Sequence, residues 1–220
     1  MSEAGRVIAG SARGLRLKAP GEGTRPLADR VKQTLFAILE PDLDGANVLD
    51  LFAGSGAAGI EMLSRGAAVA TFVEKDPQAA NVIVENLAFT RLTGRGRVAR
   101  ADALNYLRDR AVKDGPFDVV IVDPPYAETA LMDAAMKRLG AAEPALLNEG
   151  CWVVAKHFWR TPPPETVGLL ASVRTRRFGE TALTFYRPAA DEDVTEAADE
   201  DVTEDVTEER TTEEPEEAGS

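Results

Sequence analysis

Cysteine and histidine are almost missing from this chain of 220 residues: Cys151 and His157 are the single examples of each. One cysteine excludes an intramolecular disulfide, and the pair is too sparse for a Cys/His zinc site. No apolar run approaches the roughly 18 residues that cross a bilayer. The N-terminus "MSEAGRVIAGSARG" has no apolar signal core, so export is not expected. A cytoplasmic protein without a metal site is the expectation. Whatever chemistry the chain performs must come from carboxylates, backbone and a bound organic group.

Positive charge is also scarce overall, with a net charge of −12, but the deficit is local. From Asp191 onward there are 15 acids and one base, Arg210, a net of −14. The remaining 22 acids and 24 bases leave +2. The tail repeats "DVTE" at 193, 201 and 205 and has no aromatic residue. Such a segment has too little to bury and is predicted to be disordered. Its plain role is solubility; the sharper one is a phosphate mimic that competes for a basic surface.

What is there in quantity is alternation. "RVIAGSARGLRLKAP" reads as a short hairpin carrying Arg6, Arg13, Arg16 and Lys18. "TRPLADRVKQTLFAILEP" reads as a helix capped near Asp29 and stopped by Pro41. From Asn47, strand-like runs ("NVLDLF", "VATFVEKD", "RVARAD", "FDVVIVD", "CWVVAKHFW") alternate with helical runs, which implies a parallel sheet covered on both faces. "ASVRTRRF" and "TALTFYRP" are joined only by Gly179 and Glu180, too little for a crossover, so they form an antiparallel hairpin. The expected fold is α/β, a doubly wound, mostly parallel sheet of seven strands. The expected organisation is an N-terminal basic hairpin and helix over 1–45, the doubly wound domain over 46–189, and an acidic tail over 190–220.

Ligands of open parallel sheets bind at the carboxyl ends of the strands. The first of these ends runs into "DLFAGSGAAG", where Gly54 and Gly56 permit a tight turn against which a ligand can lie. Asp50, in the approach to that turn, would repel a pyrophosphate. The second strand ends at Glu74, placed to accept hydrogen bonds from both hydroxyls of a ribose. Asp102 ends the third, in reach of an adenine amino group. Taken singly, each acid is a solvated strand end or a helix cap. Three in succession beside a G-x-G describe a nucleoside that carries positive charge and no phosphate, which fits S-adenosylmethionine.

The fourth strand, "DVVIVDPPYA", runs from apolar residues into an acid and two prolines. Pro124 and Pro125 stiffen the turn and offer carbonyls without competing N–H groups. Asp123 and a proline carbonyl can then hold both hydrogens of one planar NH₂ group, while Tyr126 offers a face for a flat ring. Holding those hydrogens frees the nitrogen lone pair for methyl transfer, a reaction that depends mostly on positioning.

"DLFAGSG", "VEKD", "ADA" and "DPPY", in that order, resemble class I amino-methyltransferases, and "TRPLADRVKQTLFAIL" is similar to the N-terminal element of the RsmD-type bacterial branch. The likeness spans about residues 6–188. It implies methylation of guanine N2 at position 966 of 16S ribosomal RNA, in a small ribosomal subunit or its assembly intermediate. It also implies that Gly54, Gly56, Glu74 and Asp102 line the cofactor and that Asp123 to Tyr126 hold the base. Asp50, Phe52, Ala53, Lys75 and Ala103, within the same motifs, are assigned to the cofactor with them. RNA phosphates are assigned to Arg6, Arg13, Arg16, Lys18, Arg25, Arg30 and Lys32. The protein is expected to act as a monomer.

The chain departs from the family where an acid often ends the fifth strand; here Lys156 and His157 stand. No catalytic role is assigned to them, and His157 is expected at a strand end, facing solvent or RNA. The alternatives are a DNA adenine-N6 or cytosine-N4 methyltransferase, which usually needs a larger recognition region, and an inactive RNA-binding assembly factor. A protein glutamine methyltransferase fits less well, because that group resembles "NPPY".

Overall fold

The computed structural model describes residues 3–21, 29–142 and 145–189. Arg25 and the acidic tail lie outside these residues. A short antiparallel pair, β1 (Glu3–Arg6) and β2 (Arg16–Lys18), precedes helix α1 (Asp29–Leu39). A single 3₁₀ turn over Glu40–Asp42 contains Pro41 and ends α1, as the missing proline N–H requires.

The rest is a sheet wound with helices. In chain order it comprises β3 (Asn47–Asp50), α2 (Ala57–Ser64), β4 (Val69–Glu74), α3 (Pro77–Phe89) and β5 (Gly96–Arg100). Then come α4 (Ala103–Asp109), α5 (Ala111–Asp114), β6 (Phe117–Val122), α6 (Thr129–Leu139) and β7 (Leu147–Phe158). The chain closes with β8 (Thr166–Val167), β9 (Leu170–Phe178) and β10 (Thr181–Pro188). The spatial order is β5-β4-β3-β6-β7-β10-β9-β8, parallel from β5 to β7, with β10 antiparallel to both of its neighbours.

The seven expected strands are therefore present, with a two-residue eighth, β8, at the edge of β9. β7 begins four residues earlier than "CWVVAKHFW" suggests. Its "LNEG" start has poor strand propensity and is recruited by pairing Leu147 with Phe117. The run after β5 breaks into two helices, α4 and α5.

Both faces of the sheet are covered. One core joins β1, β2, α1, α2 and α3, with Phe36, Phe72, Ile83 and Phe185 wholly buried. The other joins α4 to α6 on the opposite face around Tyr106, Phe117, Met136 and Tyr186. Two glycines set how the first helix meets the sheet. Gly56 has φ 78° immediately before α2, a left-handed turn that side chains disfavour. A Cβ on Gly59 would stand 2.2 Å from the Phe72 ring, so α2 lies directly on β4.

The N-terminal pair is clamped to α2 by a buried carboxylate. Glu61 accepts the backbone N–H groups of Ile8 (2.7 Å) and Ala9 (3.0 Å) and the Nε of Arg65 (2.8 Å). Ala4, Val7 and Leu17 complete the contact within the core. β1 and β2 are thus seated on the sheet domain and bring Ala4 to the wall of its main cavity.

Candidate active site

Four parallel strands end around one cavity of about 520 Å³. Asp50 closes β3 and Glu74 closes β4; Asp102 follows β5 and Asp123 follows β6. All four line the cavity, together with Phe52, Ala53, Gly54, Lys75, Ala103, Pro124, Pro125 and Tyr126. Of the residues assigned from sequence to the cofactor and the base, only Gly56 is not part of this wall. It shapes the turn instead, donating its N–H to the Ala53 carbonyl at 2.7 Å.

Three of the four acids are held by backbone. Glu74 accepts the N–H of Gly54 on one oxygen and that of Asp76 on the other, both at 2.8 Å, which fixes the carboxylate beneath the glycine turn. A carboxylate has about four acceptor positions, so capacity for a ligand's hydroxyls remains. Asp102 caps α4 through Oδ1, which accepts from Leu104 and Asn105. Its Oδ2 makes no such bond among the described residues. Asp50 is 2% exposed and accepts the Gly59 N–H at 3.0 Å. Burial raises its pKa to about 7; the Gly59 hydrogen bond opposes this, and the charges of Asp123 and Glu74 add to it. A cation placed beside Asp50 would reverse that shift.

Lys156 is the residue that sequence reasoning missed. Its Nζ reaches both oxygens of Asp123, at 2.7 and 2.8 Å, and lies 5.0 Å from the centre of the Tyr126 ring. Burial pushes the Asp123 carboxyl above its ordinary range, and the charge and hydrogen bonds of Lys156 pull it back. The signal lay in strand register: Val122 pairs with Ala155 in the parallel β6–β7 ladder, so the next residues along are Asp123 and Lys156. Tyr126 is tied in turn to the start of β10, its hydroxyl 2.7 Å from Thr181 Oγ1.

The structure corrects two expectations. His157 does not face solvent or RNA. It is buried, with Nε2 2.8 Å from Thr184 Oγ1 and Nδ1 2.9 Å from the Phe158 carbonyl, and desolvation lowers its pKa. Alternation along β7 explains this, because Lys156 and His157 point to opposite faces. Lys32 cannot reach a phosphate either: it is fully buried and donates to the Arg6 carbonyl at 2.9 Å.

Arg6, Arg13, Arg16, Lys18 and Arg30 are exposed. Three of them already face acids: Arg6 with Asp29, Arg16 with Glu3 and Lys18 with Glu85. Among the described residues, Arg13 and Arg30 have no such partner.

A parallel sheet with an antiparallel strand inserted before its edge, and an acid-lined cavity at its strand ends, define the class I methyltransferase fold. Within that class, a family model described as "Conserved hypothetical protein 95" matches residues 5–187. The chain belongs to this family. It is 40% identical to "Putative rRNA methyltransferase YlbH" of Bacillus subtilis over 83% of this chain and 98% of that protein. It is 45% identical to "Ribosomal RNA small subunit methyltransferase D" of Escherichia coli, over 55% of this chain and 60% of that protein. Among solved structures, yhhF of Escherichia coli superposes with a TM-score of 0.72 at 33% identity, covering 84% of this chain and 98% of that one.

Proposed function

We propose that the protein transfers a methyl group from S-adenosylmethionine to the exocyclic N2 amine of a guanine in 16S ribosomal RNA, at the position equivalent to 966. The observation that carries the reading is the meeting of three strand-end acids and the Asp-Pro-Pro-Tyr loop in one cavity. The names of the Bacillus and Escherichia relatives support ribosomal RNA as the substrate class.

The residues fit the cofactor. Glu74 retains acceptor positions for a ribose, the bare backbone at Gly54 admits close approach, and Val73, Ala103 and Ile121 supply apolar walls. Asp50 is a buried carboxylate without a cationic partner among the described residues, and a sulfonium or an ammonium group would supply one. When bound, S-adenosylmethionine supplies an electrophilic methyl group.

The remaining chemistry is that of the loop. Asp123 and the Pro124 carbonyl accept the hydrogens of the guanine amine, so that its lone pair is directed away from the ring, and Tyr126 supports the ring itself. Lys156 favours the ionised form of Asp123 against the burial that raises its pKa, and the ionised form accepts through both oxygens. Each Asp123 oxygen gives one acceptor position to Lys156 and keeps one for substrate. Once the amine is methylated, Asp123 or solvent takes its proton. Reaching this cavity requires the target base to be unstacked from its neighbours.

The test is to incubate the purified protein and tritiated S-adenosylmethionine with small ribosomal subunits from a strain lacking the corresponding gene. Label in one N2-methylguanine supports the reading. Label in adenine or cytosine of DNA offered in its place would overturn it.

A further inference from the structure

Among the described residues, the five exposed bases of the N-terminal segment include only two without an acidic partner, so they supply little free positive charge. A second basic surface lies at the other end of the chain. β9 carries Arg174, Arg176 and Arg177, all exposed, and Arg160 follows β7. Among the described residues none of these four is ion-paired. Among the described residues β8 pairs only with Leu170 and Ala171, and no other strand covers the arginine-bearing half of β9, which is a sheet edge.

The edge holds an aromatic residue as well. Ala182 of β10 is paired with His157 on one side and Arg177 on the other, and Trp159 lies two residues beyond His157. Arg177 and Trp159 therefore share a face. The Arg177 guanidinium lies 3.6 Å from the centre of the Trp159 ring, held there by a bond from Nε to the Gly179 carbonyl, and Arg160 stands 4.9 Å from the same ring. Arg160 makes no hydrogen bond or ion pair among the described residues and is free to turn toward a phosphate.

This cluster adjoins the reacting loop. Trp159 donates its backbone N–H to the Glu180 carbonyl at 3.1 Å. The next residue, Thr181, meets the Tyr126 hydroxyl at 2.7 Å. Between them, Phe158, Thr161 and Pro162 line a smaller cavity of about 210 Å³ that shares Pro124, Pro125, Tyr126 and Lys156 with the main one.

We propose that Trp159, Arg160 and Arg177 form a docking surface for single-stranded RNA beside the target nucleotide. This rests on the functional reading above and extends it to how the substrate is held. A planar indole and a planar guanidinium accept stacked bases, and unpaired arginines hold phosphates; single strands present both, whereas duplexes hide their bases. The charge is complementary, and the smaller cavity links the Tyr126 loop to the turn after Phe158 that carries Trp159 and Arg160. Arginines also protect sheet edges from pairing with other chains, and the experiment separates that role.

Fluorescein-labelled single-stranded RNA containing one guanine, and the same sequence as a duplex, are titrated with full-length protein at several salt concentrations. R160Q/R177Q is expected to flatten the slope of log affinity against log salt for the single strand by up to about 1.4 units, roughly 0.7 for each lost phosphate contact. W159L is expected to weaken the single strand about tenfold, the effect of losing one stacked base, and W159F to restore most of it. Calorimetry with S-adenosylmethionine confirms that each variant is folded. Wild-type affinity and slope in folded variants would overturn the proposal, as would equal losses for the duplex. Aggregation at unchanged RNA affinity would also overturn it and assign the arginines to edge protection. The functional reading is tested separately by wild-type methyl transfer: its absence, with binding still dependent on Trp159, would sink that reading and not the surface.

Discussion

At the scale of single residues, the site depends on two carboxylates whose burial works against their charge. Asp123 is kept usable by Lys156. Asp123→Ala is expected to leave cofactor affinity within a few-fold and to slow methyl transfer about a hundredfold or more, as loss of a positioned polar group in a transition state does. Lys156→Met is expected to slow it as well and to move the acid limb of the pH–rate profile upward, because the ammonium is what lowers the carboxyl's pKa. An unmoved limb would mean that Lys156 only fills space. Asp50 has no such partner. Its folded pKa of about 7 exceeds its ordinary value of 3.8, so between those values the folded chain keeps a proton that the unfolded chain has lost. Its contribution to stability is therefore full at low pH and declines as pH rises from about 4 to about 7. Asp50→Asn is expected to raise the melting temperature of the ligand-free protein at pH 8, by about 2–4 °C for each kcal/mol recovered, while weakening the cofactor. In the wild type, cofactor affinity is expected to rise as pH increases through about 7, with release of a proton measurable by calorimetry in buffers of different ionisation heat.

At the scale of elements, three buried side chains, Glu61, Ser64 and Asn86, hold the β1–β2 segment to the sheet domain, Glu61 with the one charge among them. Glu61→Ala removes the acceptor of Ile8 and Ala9 and leaves the nearly buried Arg65 guanidinium with Glu40 as its remaining acid. A loss of about 3–5 kcal/mol is expected, the cost of breaking a buried charged network, with faster amide exchange at Ile8 and Ala9 before α2 itself is affected. Stability within 1 kcal/mol of wild type, measured by the same denaturant titration, would show that the clamp is redundant. Nothing local announces this clamp, because Glu61 lies 52 residues or more from its backbone partners and reads in sequence as an ordinary helix acid. The elements themselves were legible, since alternating apolar runs and turn chemistry are local signals. "FDVVIVD" and "TALTFYRP" became β6 and β10, and Gly179–Glu180 became the hairpin turn between β9 and β10. What escaped was what neighbouring strands do to one another: Lys156 meeting Asp123, His157 turned inward to Thr184, and Lys32 drawn under the Arg6 carbonyl. Residue type marks a base as a surface group; only packing shows which base is buried.

At the scale of the whole molecule, charge is divided between a body near neutrality and a tail of −14. Among the described residues, exposed bases without an acidic partner include those of the β9 edge and Arg13 and Arg30 of the N-terminal segment, so RNA binding is expected to be weak and steeply dependent on salt. Deleting residues 191–220 tests whether the tail competes for that surface. Tighter RNA binding at low salt, fading as screening shortens to about 8–10 Å at physiological ionic strength, is the competitive outcome; equal affinity and poorer solubility is the outcome expected of a tail that only solubilises. Four strand-end acids around one cavity were legible because three end apolar runs and Asp102 closes the next strand-like run in the same alternation, whereas the target nucleotide is written nowhere in the residues of the site. The most direct measurement is therefore mass spectrometry of 16S ribosomal RNA after small subunits from a deletion strain are incubated with S-adenosylmethionine and either wild-type protein or Asp123→Ala. A single N2-methylguanine at the position equivalent to 966 with wild type, and none with Asp123→Ala despite normal cofactor binding, is the expected result. Unmodified guanine with wild type, or full modification by Asp123→Ala, would contradict it.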